Sequence, residues 1–385
     1  MKKILTFTSI RSDYDLMSRL YRLLDDDPEI DLRFVVSGAH LSKTYGFTIK
    51  ELYKDGFRKI KRFKTLAKTD SKSSRIRTAG FLLVKVIDFV ETYAPDLIIC
   101  AGDREDMMMA ALIAGYLGIP FVHFFGGDHV ADGHIDNPVR NAISKLATAH
   151  MVSTKEHRQR LIALGEEKKR IFVIGSIALD KFRDLPPISS QEIRKKFKIA
   201  KGFEKHALVI FHVIPKEEKK AVAYFKNILR VLESKGIDAF VSYPNTDPGG
   251  QKIIKQIERN RNNKNFYFYQ NLEREAFLSI YKSAEFIIGN SSSGIMEAAS
   301  IPLPAINVGL RQKQRMCGKN VVFCAGSCHA IEKAIDQVCT SSFRNNLKKM
   351  KNPYGDGTSS KRAYQLIKKI DFDSLKYKDE DPLNH

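Results

Sequence analysis

Short apolar runs alternate with amphipathic helical segments along most of this chain, and this alternation restricts the possible folds more than any other feature. In the first half it predicts strands at Lys3–Ser9, Leu32–Ser37, Leu97–Ala101, Phe121–Phe125, Met151–Ser153 and Ile171–Ile174. Helical patterns separate them, including Asp13–Leu24, which we expect to begin at an acidic cap, Gly80–Thr92, Glu105–Leu117 and Pro138–Ala147. Strands joined through helices form parallel sheets with right-handed crossovers, so the fold class is predicted to be α/β.

The alternation restarts in the second half, which indicates a second domain. Strands are predicted at Ala207–Phe211, Ala239–Ser242, Asn265–Tyr269, Phe286–Gly289 and Pro304–Val308, again separated by helices. A chain of 385 residues is too long for one ordinary core. We therefore predict two doubly wound Rossmann-like domains facing a cleft, at 1–183 and 191–352, joined by the linker Asp184–Ser190. A C-terminal helix and tail occupy 353–385, and packing of this segment on the first domain is one option.

The chain is basic, with 64 lysines and arginines against 44 aspartates and glutamates and a formal net charge of +20. Such a charge suits a nucleic acid, a membrane surface or an anionic substrate. Many of the cations lie between Lys50 and Arg77, without an aromatic-interleaved RNA-binding pattern or zinc-finger spacing, so a solvated surface is the preferred interpretation. No apolar run reaches the ~18 residues of a spanning helix, and the start has no signal peptide, so we expect a cytoplasmic protein without a membrane partner.

Two sequence patterns argue against metal and nicotinamide chemistry. Cys324, Cys328 and His329 lack the second pair of ligands that a zinc site needs. No Gly-x-Gly-x-x-Gly run follows the first predicted strand. We expect neither a metal nor a cofactor.

Polar residues follow two of the buried strands. Gly102-Asp103-Arg104 comes directly after Leu97–Ala101, and Gly289-Asn290-Ser291-Ser292-Ser293-Gly294 follows Phe286–Gly289 and opens a helical pattern. Open α/β sheets bind ligands at the carboxyl ends of their strands, and helix N-termini favour phosphate. The sequence therefore predicts an enzyme that acts on a phosphate-bearing substrate.

An ordered set of motifs over nearly the whole chain resembles the UDP-N-acetylglucosamine 2-epimerase family, most closely its hydrolysing branch, which supplies precursors of sialic and legionaminic-type acids. The matching segments are 10–14, 38–42, 102–104, 126–128, 136–140, 244–247, 289–294, Glu297 and 307–312. The resemblance implies the two-domain, GT-B-like fold of many glycosyltransferases. It also implies a UDP-sugar substrate and a homodimer or homotetramer.

The resemblance implies an elimination mechanism that depends on carboxylates. A base removes the proton at sugar C2 while UDP leaves C1, and water then adds to the resulting glycal to release a free, C2-inverted sugar. Asp103 is the first candidate, Asp136 matches the second acid/base carboxylate, and Asp128 is a secondary candidate. The alternative interpretation of Asp103 and Asp136 is a cap at the start of a helix.

The resemblance also implies a UDP-binding set. Its members are Arg11, Arg104, His212, Asn245, Ser291, Ser292, Glu297 and Arg311. Glu297 corresponds to the residue that accepts the ribose hydroxyls, and the serines are expected to bond phosphate. The alternatives are a surface Arg11, an Arg104–Asp106 pair, a core His212, an exposed Glu297 and a loop cation at Arg311.

One position departs from the family pattern. Many relatives carry a catalytic glutamate where this sequence has Phe125. Either Asp128, His129 or His134 takes over proton transfer, or the sugar differs beside that residue. An apolar ring suits a 6-deoxy sugar, so UDP-2,4-diacetamido-2,4,6-trideoxyglucose and UDP-N-acetylglucosamine both remain candidate substrates.

Two other functional classes compete with the epimerase. A UDP-sugar glycosyltransferase shares the same fold, because fold does not fix function. A basic nucleic-acid-binding protein would use the net charge but gives no reason for carboxylates at strand ends. The Gly102-Asp103-Arg104 run and Asp136 favour the epimerase, with no nucleic-acid partner.

Overall fold

The computed structural model describes residues 1–67, 71–130, 135–182, 189–199, 202–244, 249–270 and 272–379. The chain divides into two compact units. The first contains Met1–Asp128, Ile135–Asp180 and the chain from Gly357 onward, and the second contains Lys181–Asp356 with His129 and Val130. The predicted linker at 184–190 lies mostly outside the described residues.

The strands and helices alternate as the sequence predicts. The strands are β1 (Lys2–Thr8), β2 (Ile30–Val36), β3 (Ile60–Arg62), β4 (Leu97–Ala101), β5 (Phe121–Phe124), β6 (Ala149–Val152), β7 (Ile171–Val173), β8 (His206–Ile210), β9 (Asp238–Ser242), β10 (Phe266–Tyr269), β11 (Phe286–Gly289), β12 (Ala305–Val308) and β13 (Val321–Cys324). The helices are α1 (Arg11–Asp25), α2 (Ile49–Lys54), α3 (Lys72–Tyr93), α4 (Glu105–Tyr116), α5 (Asp136–Leu146), α6 (Lys155–Ala163), α7 (Ser190–Phe197), α8 (Glu218–Ser234), α9 (Gly250–Arg259), α10 (Arg274–Ser283), α11 (Ser292–Met296), α12 (Cys328–Cys339), α13 (Ser341–Leu347) and α14 (Ser359–Lys369).

The first unit is built on a parallel sheet in the order β3-β2-β1-β4-β5-β6-β7. Alternate residues of each central strand enter two different cores, as Ile4 and Leu5 of β1 illustrate. One core packs α1, α2 and α14 on the sheet, and the other packs α3 and α4 on the opposite face. Both faces are covered, which explains why β4 is apolar at every position.

The second unit repeats this architecture with the strand order β10-β9-β8-β11-β12-β13, and every pairing is parallel. Helices α8, α9 and α12 cover one face of its sheet, and α7 and α10 cover the other. The prediction of two doubly wound, Rossmann-like α/β domains is therefore confirmed.

The structure corrects several local predictions. Helix α1 begins at Arg11 after Ile10, which offers no side-chain cap, so the expected acidic cap is wrong and Asp13 lies in the first turn instead. Helix α3 begins at Lys72, well before Gly80, and Ser71 caps it. Strands β3 and β13 and helices α7 and α13 were not predicted; both strands are sheet edges, and Lys61 and Arg62 of β3 are exposed, so the apolar signal of a buried strand is missing.

The C-terminal helix α14 belongs to the first unit. Asp180 accepts hydrogen bonds from the backbone N–H groups of Ser359 and Ser360 at 3.1 and 2.6 Å and so caps α14. Ala363 and Ile367 of this helix are fully buried in the first core. Among the described helices, none combines the length and apolar character needed to cross a membrane.

Candidate active site

The first cluster of site residues lies where the order of the strands reverses in the first sheet, between β1 and β4. Strands β1 and β4 are neighbours there, and the connections from them lead to opposite sides. Open α/β sheets bind ligands in the crevice beyond such a point. The turn after β1 leads to Asp13, and the turn after β4 carries Asp103 and Arg104.

Each of the four charged residues after β4 has a different partner. These contacts are Asp103 with Arg140, Arg104 with Asp13, Glu105 with Arg75, and Asp106 with Ser9. The Asp106 side chain is buried, and burial raises its pKa. Each charged side chain of this turn therefore has a defined partner, unlike the side chains of a solvated acidic loop.

Asp103 is oriented by a buried arginine. Arg140 of α5 is only 4% exposed and donates to the Asp103 carboxylate, to the Asp128 carbonyl oxygen at 2.9 Å and to the Asn137 side chain at 2.8 Å. The residue preceding α4 is Arg104, so the alternative interpretation of Asp103 as the helix cap is wrong. Arg140 was not singled out as a site residue, because the sequence does not show which carboxylate it meets.

A buried histidine supports the same turn from β5. The His123 ring lies between the Gly102 carbonyl oxygen, 2.8 Å from Nε2, and the Ser144 hydroxyl, 3.0 Å from Nδ1. Burial lowers the pKa of His123 to about 3, so the ring is neutral and donates from Nε2 to the carbonyl. His123 therefore fixes the backbone that carries Asp103.

Asp13 is a carboxyl of this cluster that the sequence motifs did not single out. Its Oδ2 lies 3.9 Å from Nε of Arg104 and is buried without a hydrogen-bond partner among the described residues. Burial is the main cause that raises the pKa of Asp13 to about 7; the charge of Arg104 opposes this rise, and the charges of Asp103 and Asp106 add to it. A carboxyl group in this state exchanges a proton near neutral pH.

The other two carboxylate candidates lie around α5. Asp128 is 9% exposed, and its Oδ1 is 3.6 Å from Nε2 of His157, while its carbonyl oxygen binds Arg140. Asp136 is the first residue of α5, one turn before Arg140, and it is half-buried. Ile135 precedes the helix, so the interpretation of Asp136 as its cap is wrong.

The turn after β5 is unusually constrained. Phe125 has a φ of +66°, a left-handed conformation that is rare for a bulky residue and costs on the order of 1–3 kcal/mol. Gly127, at φ +72°, approaches the backbone of His157 so closely that an added Cβ would lie 2.2 Å from its carbonyl oxygen. Strained backbone of this kind concentrates at functional sites. The Phe125 ring is partly buried and packs on the core that lies under α1, α2 and α14.

The two arginines expected at the diphosphate have different surroundings. Arg104 pairs with Asp13, so the partner differs from Asp106, the one named in its alternative interpretation. Nε of Arg11 lies 3.6 Å from Oδ2 of Asp15, one helical turn later, and the Arg11 side chain is 19% exposed. Arg11 and Arg104 both lie near the carboxyl ends of β1 and β4.

The second cluster lies at the corresponding point of the second sheet, between β8 and β11. Asn290 connects three chain segments there. Its side chain accepts from the His212 N–H and donates to the His212 carbonyl oxygen, both at 2.8 Å. Its own carbonyl oxygen accepts from Arg311 at 3.2 Å and Gln312 at 3.0 Å. His212 is half-buried rather than a core residue, and burial lowers its pKa to about 3.

Ser291 and Ser292 begin a very short helix. Ser291 caps α11, and its hydroxyl accepts from the Ser293 N–H at 3.3 Å. The helix has only 5 residues, so its macrodipole is weaker than that of a full helix. Gly289 precedes it at φ +141°, where a Cβ would lie 2.0 Å from the Ile210 carbonyl oxygen. The turn therefore requires glycine.

Glu297 is buried, so the alternative of an exposed helix glutamate is wrong. Its Oε1 lies 2.9 Å from Nζ of Lys181, and its Oε2 accepts from the Ser293 hydroxyl at 2.5 Å. Lys181 was not anticipated, because it lies far from Glu297 in the sequence. Two predicted candidates, Asn245 and His134, fall outside the described residues.

Comparison with known proteins identifies the family. Residues 22–368 match the family model described as UDP-N-acetylglucosamine 2-epimerase. The chain is 32% identical over 377 residues to the UDP-N,N'-diacetylbacillosamine 2-epimerase (hydrolyzing) of Legionella pneumophila, with 96% of each chain covered. It is 29% identical over 340 residues to the UDP-N-acetylglucosamine 2-epimerase of Neisseria meningitidis, with 88% of each covered.

A solved structure shares the fold. The Neisseria meningitidis UDP-GlcNAc 2-epimerase bound to UDP-GlcNAc has a TM-score of 0.79 and 17% identity, and the match covers 96% of this chain and 100% of that one. This structural similarity supports the GT-B-like fold, whereas the matched family model supports the assignment of the chain to a family. The chain therefore belongs to the UDP-N-acetylglucosamine 2-epimerase family.

Proposed function

We propose that the chain is a hydrolysing UDP-sugar 2-epimerase, which releases UDP and a free 2-acetamido sugar inverted at C2 for nonulosonic acid biosynthesis. The observation that carries this proposal is the pair of unlike carboxyl groups, Asp13 and Asp103, where the strand order of the first sheet reverses. Asp103 is held by buried Arg140, whereas burial raises the pKa of Asp13 to about 7. Carboxyl groups placed in different environments are typical of acid–base chemistry.

The proposed reaction has two steps that balance without a cofactor. A carboxylate, with Asp103 as the first candidate and Asp136 as the second, removes the C2 proton. The C1–O bond breaks with its electron pair passing to UDP, and a C1–C2 double bond forms. Water then gives its hydroxyl to C1, and C2 receives a proton on the opposite face, with Asp13 the proposed donor because its pKa is raised to about 7. The proton that the base took up passes to solvent or to UDP. Asp128, beside His157 and Arg140, is the reserve proton carrier.

The proposed UDP-binding residues lie in both units. In the second unit, Ser291, Ser292 and Arg311 lie next to Asn290, and His212 is hydrogen-bonded to the same residue. Charge-assisted hydrogen bonds from an arginine to phosphate are strong, which supports a role for Arg311. Arg11 and Arg104 of the first unit and Asn245 complete the proposed set. Glu297 is proposed to accept the ribose hydroxyls.

Phe125 bears on the choice of sugar. Its partly buried ring occupies a strained turn after β5 and has no proton to transfer. A 6-methyl group packs on such a ring, whereas a 6-hydroxyl would lose its hydrogen bonds to water. The activity in the name of the Legionella pneumophila relative supports UDP-N,N'-diacetylbacillosamine as the preferred substrate. This compound is UDP-2,4-diacetamido-2,4,6-trideoxyglucose, the 6-deoxy candidate. UDP-N-acetylglucosamine is the second candidate, supported by the Neisseria meningitidis relative.

The test is to incubate the enzyme with each UDP-sugar alone, without an acceptor, and to identify the products by mass spectrometry and NMR. We expect UDP and a free, C2-inverted sugar. In deuterated water the product should carry deuterium at C2, because the proton removed there exchanges with solvent. A product that keeps its original hydrogen at C2 would exclude elimination, and dependence on an acceptor would indicate a glycosyltransferase.

A further inference from the structure

The Glu297 carboxylate is held from two directions within the second unit. Nζ of Lys181 lies 2.9 Å from Oε1, and the Ser293 hydroxyl donates to Oε2 at 2.5 Å. The side chains of Lys181 and Glu297 are only 14% and 11% exposed. A carboxylate bound on both oxygens in this way has one orientation instead of several.

Among the described residues, one acceptor position remains on each oxygen. A carboxylate oxygen has two lone-pair directions, and Lys181 and Ser293 use one on each side. The two remaining acceptors lie on neighbouring oxygens of a single planar group. Two adjacent hydroxyl groups, such as O2' and O3' of ribose, have the matching chemistry and spacing.

Packing holds the two supporting residues in place. Phe182, next to Lys181, is buried, and its ring contacts that of Tyr281 edge-on at 5.4 Å. The Lys181 ammonium lies 5.4 Å from the centre of the Phe182 ring. The Tyr281 hydroxyl donates to the Ser293 carbonyl oxygen at 2.8 Å. One buried tyrosine therefore braces both sides of Glu297.

We infer that Lys181 and Ser293 are positioning residues that orient Glu297 for recognition of both ribose hydroxyls. This inference rests on the proposed binding of UDP. Lys181 fixes the direction of the buried carboxylate and offsets the cost of burying it, since a charge buried without its partner is strongly unfavourable. Ribonucleotide selectivity then depends on a lysine that acts through Glu297.

The experiment compares UDP with 2'-deoxyuridine 5'-diphosphate by calorimetric titration of the full-length enzyme. Wild type should bind UDP about 10- to 100-fold more tightly, as expected for a hydrogen bond to a charged group. Lys181→Met should reduce this ratio to below about threefold, and Lys181→Arg should restore much of it. Ser293→Ala, which leaves the ion pair in place, should also lower the ratio.

Lys235→Met is the matched control, because it breaks an ion pair of 2.7 Å with Asp336 elsewhere in the same unit. It should leave the ratio unchanged. Equal weakening of both nucleotides by Lys181→Met, with the ratio preserved, would reduce Lys181 to a structural residue and overturn the inference. Absence of UDP binding by wild type would overturn the proposed function together with the inference.

Discussion

Asp13 Oδ2 lies 3.9 Å from Nε of Arg104, too far for a strong hydrogen bond, and is buried without another partner in the described part of the chain. The arginine therefore offsets only part of the cost of burying this carboxylate. The neighbouring charges of Asp103 and Asp106 increase that cost. Asp13 is consequently a residue that stabilises the folded chain best when it is protonated.

Asp13→Asn should stabilise the protein in a pH-dependent way. The pKa of Asp13 rises from 3.8 to about 7 on folding, so its favourable contribution is present below pH 4 and is lost as the pH rises through 7. Asparagine stays neutral, so the variant should exceed wild type in free energy of unfolding at pH 8 by on the order of 3 kcal/mol. Urea unfolding between pH 4 and 8 measures this. Asp15→Asn is the control, and a constant difference across this range would contradict the prediction.

Asp103→Asn should remove catalysis while leaving UDP binding nearly unchanged. The amide keeps the shape of the side chain but cannot take a proton, and such groups contribute about 10²–10⁴-fold to rate. Steady-state turnover and UDP titration together test this. Asp136→Asn should behave similarly. Near-normal turnover in either variant would assign that aspartate a structural role.

Ser291→Ala and Arg311→Ala should each weaken UDP binding by about 1–3 kcal/mol if they contact the diphosphate. Both residues adjoin Asn290, so each substitution should remove a contact between UDP and the same cluster. Calorimetry with UDP is the measurement. Lys313→Ala, an exposed change close to Arg311, should have no effect. Unchanged affinity in both test variants would place the nucleotide elsewhere.

Phe125 should set the preference between the two candidate sugars. Burying an unpartnered 6-hydroxyl beside the ring costs roughly 1–3 kcal/mol, which corresponds to a preference of about 5- to 150-fold for the 6-deoxy substrate. The ratio of kcat/KM for the two UDP-sugars measures it. Phe125→Leu keeps an apolar wall and should retain the preference, whereas Phe125→Glu should not improve the 6-deoxy reaction. Equal use of both sugars by wild type would contradict the argument.

Glu166 should stabilise the protein at neutral pH through contacts with the C-terminal tail. Its carboxylate binds His150 and Lys378, each at 2.8 Å. Burial alone would raise the pKa of Glu166, but His150 and Lys378 lower it from 4.5 to about 2. This stabilisation is therefore present above pH 4.5 and is lost as the pH falls towards 2.

Glu166→Gln should lower the free energy of unfolding by on the order of 2–3 kcal/mol at pH 7, and the difference should shrink in acid. Denaturant unfolding from pH 7 to 3 tests this. Glu156→Gln, which breaks a more exposed pair with Arg160, is the comparison and should have a smaller effect. If the loss in free energy of unfolding were the same at every pH, Glu166 would stabilise the protein through packing instead of through its charge.

The sequence predicted the strands that carry the site but not the contacts between the site residues. Strand β4 is recognisable because both faces of a central parallel strand are buried, so the run is apolar throughout. The turn after it is polar, which is the pattern expected where an open α/β sheet binds a ligand. Two partners of that turn, Asp13 and Arg140, come from α1 and α5. Which elements become neighbours depends on the sheet order, which no local pattern in a single sequence records. Asp13 and Arg140 were missed for this reason.

Helix α7 shows a different kind of omission. Ser189 and Glu192 form a capping box, a signal present in the sequence, although the proline-rich segment before it suggested only a linker. Lys181 had no local signal, because its partner Glu297 is distant in the chain.

The cap that Asp180 forms on α14 has a consequence for synthesis of the protein. The first unit needs Ala363, Ile367 and Phe372 to close its core, yet these residues follow the whole second unit in the chain. While the ribosome is making the second unit, the nascent first unit carries an open apolar surface, and Asp180 lacks the Ser359 and Ser360 N–H groups that it binds in the finished protein. Its completion therefore waits for the end of translation, and a premature stop before residue 357 would damage the half of the protein that was made first.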